Sequence, residues 1–180
     1  MMEDERLIWE LKQGDKEALR QIYMKYKDNL LTIATSLLHG AYTAEDVLHD
    51  VFVSFAAGVG RLELRVSLRN YLMSSVVNRV RDRFRKKKHH VVELDKAGQI
   101  GSDSYDPVQS AIFTEELQLL ADALFQLPLE QRETIILHLN GGMKFKEIAE
   151  VQRIKLSTVQ GRYRYGLEKL RTILRRDSKK

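Results

Sequence analysis

Residues 145 to 171, FKEIAEVQRIKLSTVQGRYRYGLEKLR, constrain the fold more than any other stretch of this chain. Apolar side chains at Phe145, Ile148, Ala149, Ile154, Val159, Tyr163, Leu167 and Leu170 follow the helical period in two short runs, with a bend around Gln152 to Leu156. Ala149 is small where the two helices must cross closely. Ser157 stands where it can cap the second helix, and Thr158, Gln160, Gly161, Arg162, Arg164 and Tyr165 are left to face away from the core. A helix-turn-helix presenting such groups suits the major groove of DNA; a helical hairpin with a solvated basic face is the plainer alternative.

The same period recurs upstream. Leu19, Ile22, Tyr23, Tyr26, Leu30, Ile33, Ala34 and Leu37 predict a long helix over 15–38, with Asp15 as N-cap and Gly40 beyond its end. A second helix follows over TAEDVLHDVFVSFAAG, with Thr43 and Asp46 at capping-box spacing and Gly58 as the stop. Its apolar side is Val47, Leu48, Val51, Phe52 and Phe55, so Asp46, His49 and Asp50 share the opposite face. Residues 59–66 read as a loop. Ser67 can cap a third helix in which Leu68, Tyr71, Leu72, Val76, Val80 and Phe84 point inward. Residues 89–106 lose the period and gather Gly, Ser and Asp, as a linker does, although VVEL at 91–94 has the composition of a short strand. Asp106–Pro107 then starts a helical group expected near 107–126, 129–139, 145–152 and 157–175. The fold class is all-α: two small helical domains, 1–88 and 107–180, joined by a flexible linker at 89–106.

Charge narrows the function. Residues 79–88, RVRDRFRKKK, hold seven Lys or Arg against Asp82, a block of +6 in a chain whose net charge is +5, so the rest sums to −1. Such concentration favours a polyanion partner through counterion release, although a basic helix end is also compatible with plain solvation. With Asn70, Tyr71 and Asn78 on the same helix, the block suits single-stranded or opened DNA, where bases can be contacted directly. Tyr71 has helical spacing with Leu68 and Leu72 and is equally suited to the core.

Catalytic readings find no support. There is no cysteine for a nucleophile, a disulfide or a thiolate metal site. The five histidines lack metalloprotease spacing, Gly58 and Gly60 do not form a phosphate loop, and no acid–base pair is assembled. Asp46, His49 and Asp50 suit a basic partner surface better than a metal. No metal or cofactor is implied. No run reaches the roughly 18 apolar residues of a membrane span, and MMEDERLIWELKQGD is too acidic and broken for a signal peptide, so a cytoplasmic chain with no membrane insertion is expected.

With these readings in place, the chain resembles bacterial sigma factors of the sigma-70 family, in the compact extracytoplasmic-function (ECF) group that keeps the second and fourth conserved regions. The matching stretches are GDKEALRQIYMKY at 14–26, AEDVLHDVF at 44–52, LRNYLMSSVVNRVRDRFRKK at 68–87, and LPLEQRETIILHLNGGMKFKEIAEVQRIKLSTVQGRYRYGLEKLR at 127–171. The resemblance implies a region 2-like helical bundle and a region 4-like helix-turn-helix. It implies docking on the beta-prime clamp helices of RNA polymerase core through Asp46, His49, Asp50 and Phe52. Opening and reading of the minus-10 element then falls on Ser67, Arg69, Asn70, Asn78, Arg79, Arg81, Asp82 and Arg83. Reading of the minus-35 element, with support from the beta flap, falls on Ser157, Thr158, Gln160, Arg162 and Arg164. Promoter DNA and core polymerase are the implied partners, and the family allows for an anti-sigma factor. Arg153 replaces the usual glycine of the bend, and Gln160 and Gly161 replace a common Lys-Ser pair. The alternatives are a conventional helix-turn-helix regulator that binds duplex DNA as a dimer, and a polymerase-binding adaptor that reads no promoter.

Overall fold

The computed structural model describes residues 2–38, 41–64, 66–94 and 115–177. Asp15 opens the long helix as its spacing predicts, its side chain accepting from the Glu17 amide at 2.8 Å. That helix, α2 (Lys16–Leu37), buries Ala18, Ile22, Tyr26, Leu30, Ile33, Ala34 and Leu37 along one stripe. Each large member of the stripe contributes about 1.5–3 kcal/mol of transfer free energy. Tyr23, expected inward with them, is 38% exposed.

A helix not foreseen from the sequence precedes it. In α1 (Met2–Lys12), Leu7 and Leu11 lie one turn apart and are both buried. Lys25 holds Glu3 at 2.6 Å and Asp4 at 2.7 Å, and the Tyr26 hydroxyl donates to Asp4 at 2.6 Å. Burial pushes the Asp4 carboxyl up, but its bonds to Lys25 and Tyr26 pull it below the usual value. Burial and the Asp4 carboxylate together push the Tyr26 phenol up to about 12.

Helix α3 (Ala41–Gly58) packs on α2 and buries Val47, Leu48, Val51, Phe52 and Phe55, as expected. It begins before Thr43, so the expected Thr43–Asp46 capping box falls inside the helix. Gly58 ends it, and a single 3₁₀ turn, Val59–Arg61, replaces the start of the expected loop. Ser67 caps α4 (Leu68–Leu94), its hydroxyl accepting from the Asn70 amide at 3.2 Å. Here Leu68, Leu72, Val76 and Val80 are buried, while Tyr71 is half-buried and tilted against Phe55 at 6.1 Å. Residues 91–94 continue this helix instead of forming a strand, because a helix already nucleated adds a residue at little cost whereas a lone strand has no ladder to join. The expected stop at Gly40 and start at Asp106–Pro107 lie outside the described residues.

The C-terminal unit consists of α5 (Glu115–Phe125), α6 (Leu129–Leu139), α7 (Phe145–Gln152) and α8 (Leu156–Asp177). The bounds of α6 and α7 are those read from the sequence. Gly142, at φ 62°, supplies the left-handed turn between them. Arg153 makes the bend without a glycine: it adopts φ 53°, ψ 45°, and its amide and that of Ile154 close back onto the last turn of α7. Helix α8 begins at Leu156, one residue earlier than expected, so Ser157 lies in its first turn rather than at its cap. Gly166 is where α8 crosses α6: a side chain there would begin 2.9 Å from Ile135 Cδ1.

The two units touch. Helix α2 packs on α6 and α4 on α7, and the apolar core runs from Leu30 and Leu72 without a break to Ile136, Leu137 and Ile148. Among the described residues there is no strand, and no described helix is long and apolar enough to cross a membrane.

Candidate nucleic-acid and protein-docking surfaces

The N-terminal part of α8 stands out from its unit. Val159 is fully buried under it, while Ser157, Thr158, Gln160 and Arg164 are exposed. The helix is fixed from below by a ring cluster in which Phe145 packs on His138 at 4.4 Å and on Tyr163 at 5.0 Å. His138 Nδ1 lies 2.8 Å from the Met143 carbonyl and ties the α6–α7 turn into the same cluster. Arg164 stacks on Tyr165, 4.8 Å from the ring centre, and donates to its hydroxyl at 3.0 Å. Arg162 is half-buried and donates to the buried Gln152 of α7 at 3.0 Å, whose amide nitrogen lies 3.4 Å from Thr134 Oγ1. Four of the five residues expected at the minus-35 element thus face solvent together, and Arg162 is held at their edge. Gln152, which sets Arg162, was read from the sequence only as the start of the bend.

The minus-10 set divides among three environments. Arg79 donates to Ser54 at 2.9 Å and lies 3.8 Å from Asp50, and Arg83 lies 3.7 Å from Asp46. Asp82 pairs with Arg85 at 2.9 Å, and Asn78 and Ser67 are exposed. Arg69, Asn70 and Arg81 point the other way, towards the C-terminal unit. Asn70 is buried and donates to Glu147 at 2.8 Å. Arg81 forks onto Glu133, donating from Nε at 2.9 Å and from Nη2. The bond to Glu133 raises the Arg81 guanidinium, and burial pushes the Glu133 carboxyl up against the opposing pull of Arg81. The Arg69 guanidinium lies over Gly142, 3.5 Å from where a side chain there would begin.

Of the four residues expected to dock on polymerase, Asp46, His49 and Asp50 lie on the accessible face of α3 and Phe52 is buried beneath it. His49 and Phe52 line an open groove of about 980 Å³ between α2 and α3, with a floor of Leu19, Leu31 and Leu48 and with Tyr23 set edge-on to Phe52 at 4.9 Å. Lys16, Arg20 and Lys27 border the α2 side and Glu45 the α3 side. Asp46 and Asp50 also come within 3.7 to 3.9 Å of the α4 arginines Arg83 and Arg79 while staying largely exposed. Tyr23 and the α2 cations were missed because the helical period assigns Tyr23 to the core and treats Lys16, Arg20 and Lys27 as ordinary solvated surface. Among the described residues no cluster of three or more His, Asp or Glu side chains is placed to hold a metal ion.

A helix-turn-helix with an exposed polar face on α8, in one chain with the arginine-rich helix α4, is the make-up of an all-helical, two-unit nucleic-acid-binding protein. Residues 22–90 match the family model for sigma-70 region 2, and residues 117–170 match that for sigma-70 region 4. The chain is 27% identical over 177 residues to the ECF RNA polymerase sigma factor SigW of Bacillus subtilis, covering 93% of this chain and 95% of that protein. It is 26% identical over 166 residues to the RNA polymerase sigma factor CarQ of Myxococcus xanthus, covering 91% and 92%. Among solved structures, the sigma factor RpoE of Bartonella quintana, in complex with the anti-sigma factor NepR, shares the fold with a TM-score of 0.73, 24% identity and coverage of 87% of this chain and 96% of that one. CnrH, in complex with the cytosolic domain of CnrY, does so with a TM-score of 0.73, 22% identity and coverage of 97% and 99%. The chain belongs to the sigma-70 family, in its ECF group, and its function is that of a transcription initiation factor that directs RNA polymerase to promoters.

Proposed function

We propose that the labour of initiation is divided between the two units as follows. Residues 1–88 hold core polymerase and the minus-10 element, residues 107–180 hold the minus-35 element, and 89–106 connect them. Core docking uses the α2–α3 groove through His49 and Phe52, with Asp46 and Asp50 at its α4 side. The α4 set Ser67, Arg69, Asn70, Asn78, Arg79, Arg81, Asp82 and Arg83 engages the minus-10 strand, the arginines taking phosphates and the amides taking unstacked bases. Ser157, Thr158, Gln160, Arg162 and Arg164 enter the major groove at minus-35.

The observation that carries this reading is the adjacency of the two faces of the N-terminal unit. Arg79 and Arg83 pair with Asp50 and Asp46, so polymerase held on α3 sits one helix away from DNA held on α4. The factor works in the cytoplasm and performs no catalysis of its own; it supplies contacts, and polymerase supplies chemistry. An anti-sigma factor is a further partner, in keeping with the complexes in which its fold neighbours were solved. Run-off transcription with core enzyme across a promoter library tests the reading: a defined promoter class transcribed only when the factor is added is expected. Promoter binding by the factor alone, with no gain in transcription, would point to a conventional regulator.

A further inference from the structure

The polar face of α8 has a gap at its centre, and an aromatic ring reaches over it. At about 100° per residue, Ser157, Gly161 and Arg164 fall along the middle of the face opposite the buried Val159 and Gly166, with Gln160 on one flank and Thr158 and Tyr165 on the other. Gly161 places no side chain there. Tyr165, one turn further on, is 54% exposed and leans back towards the start of the helix, so that a side chain at Gly161 would begin 3.9 Å from Tyr165 Cε2. Arg164 lies against the same ring, 4.8 Å from its centre, and donates to the phenol oxygen at 3.0 Å. Among the described residues Tyr165 joins neither apolar core, so packing does not account for the ring.

We propose that Tyr165 is a specificity-determining residue of the minus-35 contact: its ring, given room by Gly161, packs on the C5 methyl group of a thymine in the major groove while its hydroxyl holds the Arg164 guanidinium alongside. This rests on the minus-35 reading above and adds a residue that reads sequence. The chemistry selects the ligand. The edges of base pairs in the major groove offer hydrogen-bond donors and acceptors and one apolar group, the thymine methyl, and a ring gains from burial only against that group. A phosphate would be met by hydrogen bonds instead, and Arg164 keeps donors free for it or for guanine, because only part of its planar fork is used on the phenol. Stacking and the hydroxyl bond together limit the rotamers of Arg164 before DNA arrives, which reduces the ordering cost of the contact.

The test uses the full chain with core polymerase on a promoter library randomised across the minus-35 element. Wild type is expected to select a thymine, on one strand or the other, at a defined position. Tyr165→Ala is expected to lose the preference at that position and keep the others, and Tyr165→Phe, which retains the ring, to keep them all. Deoxyuridine at that position then removes the methyl group alone. In competition binding of the selected promoter, this replacement is expected to weaken wild-type holoenzyme about fourfold, the worth of burying one methyl-sized group, and to leave Tyr165→Ala holoenzyme unaffected. Equal responses of wild type and Tyr165→Ala to deoxyuridine would overturn the proposal, as would a loss in Tyr165→Ala spread evenly over all positions. Loss of the thymine preference in Tyr165→Phe would overturn the ring contact. A wild-type library with no base preference anywhere in the element would overturn the minus-35 reading instead.

Discussion

Arg162 of α8 donates to the side-chain oxygen of Gln152 at 3.0 Å, and Gln152, the last residue of α7, is itself buried against α6. The second turn of α8 is therefore tied to the helix before it, through a hydrogen bond to a charged group of the kind that contributes about 1.5–3 kcal/mol. Replacing Gln152 with Leu keeps the volume and removes the acceptor. Transcription from promoters that depend on the minus-35 element is expected to fall about tenfold or more, with little change at promoters that do not; equal loss at both classes would assign Gln152 a purely structural role.

Asp46 and Asp50 sit 3.7 to 3.9 Å from Arg83 and Arg79 at a partly exposed surface. Pairs of this kind contribute about 0–1 kcal/mol each. Replacing both aspartates with Lys is therefore expected to lower the melting temperature by only a few degrees while weakening capture of core polymerase. Undiminished pull-down of core would remove these two residues from docking and leave the groove with His49 and Phe52.

Two backbone positions should respond in opposite directions. Arg153 is held in the left-handed region, which costs an ordinary residue about 1 kcal/mol relative to glycine, so Arg153→Gly is expected to leave thermal stability unchanged or slightly raised. Gly166→Val would drive a branched side chain into Ile135 and Gln131 and is expected to cost about 1–3 kcal/mol, read by chemical denaturation.

Much of this architecture is legible in the sequence because it rests on local signals. The apolar period predicts α2 through α4, Asp15 and Ser67 cap their helices, and Pro128 with Gly141 and Gly142 delimits α6. What escapes is set by tertiary contact. Helix α1 is short, and its stability comes from Leu7 and Leu11 packing on α2 and from Asp4 meeting Lys25 and Tyr26, partners some twenty residues away. The candidate surfaces divide along the same line. The exposed polar face of α8 follows from one helix's own period, whereas the burial of Asn70 and the capture of Arg81 depend on helices more than 50 residues distant.

Acid should loosen the start of α7. Glu147 accepts from the Lys144 amide at 2.7 Å and from Asn70, and these bonds hold its carboxyl below its ordinary value of 4.5. A carboxyl whose folded value is depressed stabilises the fold above its unfolded value and loses that contribution as pH falls through the folded one. The melting temperature of wild type is therefore expected to drop more between about pH 5 and pH 3 than that of Glu147→Gln. Parallel curves would remove Glu147 from the acid response.

Promoter opening by α4 is tested most directly by permanganate reactivity of minus-10 thymines in the presence of core enzyme, with Asn78→Ala and Arg79→Ala combined and Arg81 left in place so that its contact to Glu133 is kept. Binding to core should persist, thymine reactivity on linear duplex should fall, and a premelted bubble should restore transcription in large part, because the unpairing cost is already met. Normal thymine reactivity on the duplex would contradict the assignment of strand opening to this helix.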